Sequence, residues 1–334
     1  MNYIIKILTF WIPIKSWRKK CRNSLLKFNW QYLSILYHLR CGSSVAVLSC
    51  DGMGDYIYLF GYMDEFKKVN KIKKLIFLAR SNHQKFLAEK VLAFDKIMIV
   101  KPNFISLINS SIKYDSEKFL IGNFFQSQIY ENISDKNCLA IDGLKFLLNI
   151  DKEAKLNLDI FKNYDTSKII EIEKKISCFP KGKTVLISTH SVSLPTETEY
   201  KFWLNIADFL KKEGYRVVFN SLETDFYGYE TIYPPKEDLS LYTDYFGYFI
   251  SLRSGISDLI AVSSSAKNII IYPTNLNEEV LKKTIITAYG DFNIDVPQFI
   301  FEKWSLKKIS SLFEVFEVFD SKLDLNAMLD FMRK

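Results

Sequence analysis

The sequence has no cysteine pair at the C-x2-C spacing of a structural zinc site, and its five cysteines, at positions 21, 41, 50, 138 and 178, form no paired framework. Free thiols in a reducing compartment are expected. No G-x-S-x-G occurs, so the nucleophile elbow of a serine hydrolase is missing. The glycine-rich turn at Gly52 and Gly54 lacks the third glycine of a dinucleotide fingerprint. No Asp-x-Asp pair stands at a strand end to clamp a divalent cation, so metal-independent chemistry without a cofactor is expected. No internal repeat or low-complexity tract is present.

Acidic side chains are absent from residues 1–40, which carry eight lysines and arginines (Lys6, Lys15, Arg18, Lys19, Lys20, Arg22, Lys27 and Arg40). The other 294 residues hold 37 basic and 38 acidic side chains, so the net charge of +7 belongs to the N-terminal arm. A nucleic-acid-binding body would spread lysine and arginine over a folded face, and this body is neutral, so no nucleic-acid partner is expected. The opening run MNYIIKILTFWIPI is broken by Lys6 and Pro13 and falls short of the roughly 20 apolar residues that span a bilayer. It is also a poor signal peptide, because its positive charges follow the apolar run instead of preceding it. Aromatic and aliphatic side chains next to KSWRKKCRNSLLK suit a segment lying in an anionic membrane surface, with residues 1–27 as the contact and the inner face of the cytoplasmic membrane as the location. A helix packed on the body with a solvated basic face is the other reading of the same composition.

Hydrophobic residues make up 48% of the 334 and charged residues 25%, the balance of a folded chain, and the length favours two domains over one. From Ser43 the chain alternates short apolar runs with helical patterns. SVAVLS, KKLIFLA, KIMIVK and KFLIGN read as buried strands, with helices over 54–69 and 82–92. A second series follows residue 180: KTVLIST, a helix over 198–212, YRVVFN, a helix near 238–245, GYFISL, a helix from 256 and NIIIYP. Strand–helix alternation of this kind predicts α/β units built on parallel sheets. The stretch 151–167 has no strong periodicity and marks a boundary, giving an arm over 1–40, one unit over 41–160 and another over 161–334. The terminal stretch 291–334 reads as helices packed back across the domains.

Ligands of open parallel sheets bind at the carboxyl ends of the strands. After the first strand comes Asp51-Gly52-Met53-Gly54-Asp55, where glycines allow close backbone approach and Asp55 falls in the first helical turn. Asp55 as a helix cap and Asp51 as a turn residue is the bland reading. After GYFISL come Arg253, Ser254 and Gly255 and then a helix, which places a hydroxyl and free backbone N–H groups where a diphosphate fits. Arg253 suits a bidentate phosphate clamp, with a salt bridge to Asp258 or to a surface carboxylate as the alternative.

Met53-Gly54-Asp55 and the helix after it resemble the N-terminal motif of the bacterial lipopolysaccharide heptosyltransferases and their glycosyltransferase family 9 relatives. Ser254-Gly255, Leu259, Ala261, Pro273 and Thr274 resemble that family's nucleotide-sugar loop, with Arg253 where the family has Asp and Asp258 where it has His. Thr189 to Ser191, Lys201, Trp203 and Gly214 to Val218 resemble its first C-terminal unit. Two successive open α/β units facing each other across a cleft are also the layout of the GT-B glycosyltransferases. The resemblance implies an inverting transfer from a nucleotide-sugar donor to a lipopolysaccharide, capsule or related surface glycan, with Asp55 as the base that takes the acceptor's proton. It further implies a donor diphosphate held by Thr189, Ser191, Lys201, Arg253, Ser254 and Gly255, with Asp51, Gly54, His190 and Asp258 as secondary candidates. Lys201 as an exposed solubilising residue, and His190 as a satisfied loop histidine, are the alternatives at those positions. A non-catalytic relative that binds a nucleotide sugar or scaffolds polysaccharide assembly is the alternative for the whole chain.

Overall fold

The computed structural model describes residues 9–27, 45–48, 52–100, 120–121, 139–162, 165–191, 200–222, 226–274, 296–309 and 313–334. Asp51, most of Pro195 to Tyr200, and Cys41, Cys50 and Cys138 lie outside the described residues. The first half runs α1 (Lys15–Lys27), β1 (Val45–Leu48), α2 (Met53–Gly61), α3 (Met63–Val69), β2 (Lys74–Ala79), α4 (Asn82–Ala88), β3 (Lys96–Ile99), β4 (Leu120–Ile121) and α5 (Ala140–Leu147). The second half runs α6 (Thr166–Lys175), β5 (Thr184–Ser188), α7 (Tyr200–Lys212), β6 (Arg216–Asn220), β7 (Glu230–Ile232), α8 (Leu239–Phe246), β8 (Gly247–Leu252), α9 (Gly255–Ser263), β9 (Lys267–Tyr272), α10 (Val296–Trp304), α11 (Leu306–Ile309), β10 (Val315–Phe319) and α12 (Leu325–Arg333).

One compact unit comprises residues 1–51 and 63–125. Its sheet is parallel throughout, in the order β3-β2-β1-β4. The run KLIFLA forms its second strand because five consecutive apolar residues, 75–79, are buried, as a parallel strand covered on both faces requires. In the arm, Arg18 Nε donates to the Ile12 carbonyl at 2.9 Å and Arg22 Nε to Thr9 Oγ1 at 2.7 Å. These bonds fold 9–14 back along α1 and leave Phe10, Trp11, Ile14 and Trp17 exposed.

The other unit comprises residues 52–62 and 126–334. Its six strands are parallel in the order β10-β9-β8-β5-β6-β7. Alternate residues serve opposite faces: Val185, Ile187, Ile250 and Leu252 pack with Trp203, Ile206 and Leu210 of α7 and Met328 of α12. Leu186, Val218 and Phe249 pack on the other side with α6, α8 and Ile260 of α9. At about 1.5–3 kcal/mol for each fully buried aliphatic side chain, these two layers hold the helices against both faces of the sheet.

Two elements differ from the sequence reading. The single helix expected over 54–69 is two helices, because the Gly61 carbonyl accepts the Asn157 N–H at 3.0 Å and the chain turns there. The stretch 291–334, expected as helices alone, contains β10. Its Glu317 accepts from Tyr272 of β9 at 2.6 Å and from the Leu306 and Lys307 amides at the start of α11 at 3.0 and 3.1 Å.

Candidate functional site

The helix starts of α2 and α9 meet within the second unit. A Cβ on Gly255 would lie 2.5 Å from the Met53 Cβ and 2.9 Å from the Gly54 nitrogen, and a Cβ on Gly54 would collide with the Asp258 carboxylate. Glycine at both positions is therefore what lets the two backbones approach. From Asp55 to Gly61 every residue of α2 is buried, so the helix is apolar on all sides apart from its first turn and two tyrosine hydroxyls.

Asp55 stands in that first turn, 6% exposed, with its carboxylate folded towards Gly52. Negative charge is stabilised at a helix N-terminus by the oriented peptide dipoles. On α9, Ser254 is the N-cap: its hydroxyl accepts the Ser257 amide at 3.4 Å while Ser257 Oγ accepts the Ser254 amide at 2.9 Å. The amides of Gly255 and Ile256 open the helix and, as in any helix start, have no intrahelical acceptor. Ser191 Oγ donates to the Arg253 carbonyl at 3.0 Å, tying the loop after β5 to the loop after β8.

Arg253 is ion-paired to Asp258, the second of the two readings open to it from sequence. Its Nη1 lies 2.7 Å from Asp258 Oδ2 and 3.1 Å from the Ser254 carbonyl, and Nη2 donates to the Trp304 carbonyl at 3.2 Å. The guanidinium is turned into the protein, with its side chain 7% exposed, and not out to a ligand. Burial is the largest single influence and would lower its pKa, but the Asp258 charge and hydrogen bond together with Tyr272 and Tyr58 hold it well above its ordinary value. The other Asp258 oxygen, Oδ1, accepts from the Tyr58 hydroxyl at 2.7 Å. Burial, reinforced by that carboxylate, pushes the Tyr58 pKa well above its ordinary value.

Of the remaining sequence candidates, Thr189 Oγ1 and His190 Nδ1 lie 2.8 Å apart in an exposed loop, and Lys201 is exposed in the first turn of α7. The structure thus brings together Gly54, Asp55, Ser254, Gly255, Asp258 and, through a carbonyl, Ser191. Tyr58 and Trp304 were not legible as site residues. Tyr58 lies one turn beyond Asp55, and only its contact with a residue 200 positions away distinguishes it from a core tyrosine. Among the described residues no group of three His, Cys, Asp or Glu could hold a metal ion, and no helix is long and apolar enough to cross a membrane.

No protein-family model and no curated protein sequence matches the chain. Solved structures do. The family 9 glycosyl transferase of Veillonella parvula superposes with a TM-score of 0.53 over 87% of this chain and 89% of its own, at 10% identity. The ADP-heptose lipopolysaccharide heptosyltransferase II of E. coli gives 0.51 over 87% and 97%, at 9% identity. The fold is that of the family 9 glycosyltransferases. In this glycosyltransferase fold the α2 and α9 starts lie where an open parallel sheet binds ligands, since β8 runs directly into Arg253, Ser254 and the first turn of α9.

Proposed function

We propose that the chain is an inverting glycosyltransferase that moves a sugar from a nucleotide-diphosphate donor to a lipopolysaccharide-type acceptor, with Asp55 as the general base. The observation that carries this reading is the direct packing of the Gly54-Asp55 helix start on the Ser254-Gly255 helix start. One start presents a carboxylate, and the other presents backbone N–H groups and a hydroxyl suited to a diphosphate. As the glycosidic bond to the diphosphate breaks, negative charge grows on the leaving oxygen. The α9 amides, Ser254, Thr189 and the exposed ammonium of Lys201 stabilise it without a metal, while Ser191, whose hydroxyl proton goes to the Arg253 carbonyl, ties the two loops together. Arg253 acts from inside the protein, through Asp258.

The heptosyltransferase II that shares this fold is named for ADP-heptose, which makes an adenosine diphosphate sugar the donor to test first. Melting of the purified protein against ADP, UDP, GDP, CDP and CMP is the direct experiment. ADP at 100 times its dissociation constant is expected to add about 2.7 kcal/mol and to raise the melting temperature, with the other nucleotides giving less. A shift with UDP, GDP or CMP instead names a different donor sugar. No shift with any of the five rejects a preformed donor site and favours a scaffolding relative.

The arm supports a second statement about location. Phe10, Trp11, Ile14 and Trp17 are exposed beside Lys15, Arg18, Lys19, Lys20 and Arg22, and an anionic membrane surface satisfies both sets at once, at about 1 kcal/mol per basic residue. The full chain is expected to sediment with phosphatidylglycerol vesicles and not with phosphatidylcholine vesicles. A chain lacking residues 1–27 should stay in the supernatant; if it sediments equally, the arm is not the anchor.

A further inference from the structure

We propose that Tyr58 is a positioning residue: its hydroxyl, bonded to the Asp258 carboxylate that Arg253 holds in place, fixes the helix carrying Asp55 against the helix start that receives the donor. The proposal rests on the reading of Asp55 as the base.

The contact geometry singles out α2. Asp258 meets this helix at two points one turn apart, with Oδ1 accepting the Tyr58 hydroxyl at 2.7 Å and Oδ2 lying against Gly54. Asp55 sits between those points, adjacent to Gly54 and three residues before Tyr58, on the same side of the helix as the latter. A carboxylate touching both sides of Asp55 fixes the rotation and the axial position of the turn that presents it. Arg253 completes the clamp: Nη1 bonds the same carboxylate at 2.7 Å, and Nη2 reaches the carbonyl of Trp304, whose ring packs on Tyr58 with centroids 6.1 Å apart.

Stability does not explain this arrangement. Arg253 and Asp258 are 6% and 2% exposed, and an ion pair that deep is commonly no better for stability than apolar side chains of the same volume. What charge-assisted bonds add over apolar contact is direction. Direction matters where the base must lie within hydrogen-bond reach of the attacking hydroxyl, because a displacement of about 1 Å is enough to cost on the order of 100-fold in rate. The tyrosine hydroxyl also remains protonated, and hence a donor, through the neutral and moderately alkaline range, since its burial and the Asp258 charge oppose its ionisation.

The test is Tyr58→Phe, which removes one oxygen and keeps the ring against Trp304. Three readouts are taken on the full chain: the ADP-induced melting shift, kcat and KM for ADP release from ADP-heptose with a heptose-deficient lipopolysaccharide as acceptor, and amide hydrogen exchange of peptides covering 53–62. The expected result is an unchanged ADP shift, a donor KM within about threefold of wild type, and a kcat lower by roughly 10- to 100-fold, the loss of one hydrogen bond to a charged partner. Exchange in 53–62 should rise about tenfold or more while peptides covering 255–263 keep their protection. A Tyr58→Phe protein with wild-type kcat, or with wild-type exchange over 53–62, overturns the proposal. A loss confined to KM overturns it as well, because that assigns Tyr58 to donor binding. If Asp55→Asn keeps full turnover, or the wild-type chain releases no ADP, the reading of Asp55 as base fails first and the positioning role falls with it. If Asp55→Asn is inactive and Tyr58→Phe is not, only the positioning role fails.

Discussion

Asp55→Asn is expected to lower transfer by about 100- to 10,000-fold while the ADP-induced melting shift and the fold persist. Asparagine nearly matches the volume of aspartate and can still accept a hydrogen bond near Gly52, towards which the Asp55 carboxylate folds, so its removal of charge is the main change. A structural helix-start aspartate would respond differently. Losing a cap or a favourable dipole contact costs about 1 kcal/mol of stability and leaves chemistry alone. The base reading and the capping reading therefore separate cleanly on one variant: loss of kcat at constant stability supports the base, and a lower melting temperature at constant kcat supports the cap. Turnover of Asp55→Asn within a factor of a few of wild type ends the assignment. The contact between the helix starts of α2 and α9 is made by glycine backbone and not by the Asp55 carboxylate, so the same variant should leave the proposed diphosphate site on α9 intact. A large rise in donor KM without a fall in kcat would place Asp55 on the donor instead.

What the sequence made legible follows from how local the signal was. Buried parallel strands such as KLIFLA and TVLIS are continuous apolar runs and could be read directly. The Gly-x-Gly-Asp turn and the Ser-Gly helix start were visible because glycine and a capping hydroxyl act within one turn of chain. The stretch Phe313 to Phe319 was misread because its apolar residues at 313, 316 and 319 satisfy a helical spacing as well as a strand, and only the pairing of Val315–Phe319 with β9 decides between them. Arg253 stood between two partners for a similar reason. A lone arginine after a strand gives no sign of whether it faces inward, and its burial against Asp258, Ser254 and Trp304 is a property of packing. Tyr58 carried no signal at all, since in an apolar helix a tyrosine is ordinary until a carboxylate 200 residues away is found on its hydroxyl.

Arg253→Met is expected to destabilise the protein in the absence of any nucleotide by about 3–5 kcal/mol, the usual consequence of leaving one buried charge without its partner. For a unit of this size that corresponds to a melting temperature lower by roughly 6–20 °C. Asp258→Leu should do the same from the other side, orphaning the guanidinium. The double variant Arg253→Met with Asp258→Leu should recover most of the loss, because two apolar side chains of similar volume need no desolvation of charge. What remains is the Tyr58 hydroxyl, buried with no acceptor at a cost of about 1–3 kcal/mol, and the Trp304 carbonyl that Arg253 no longer reaches, and adding Tyr58→Phe should remove the first of these. The same series discriminates the two roles of Arg253. An arginine that clamps a phosphate is dispensable for folding, so Arg253→Met would melt as wild type and lose the ADP shift. An arginine that holds Asp258 fails in the opposite order, with the fold weakened first and the ADP shift retained below the lowered melting point. Recovery of stability in the triple variant without recovery of kcat would then locate the purpose of this buried pair in the aim of Asp55 and not in holding the second unit together.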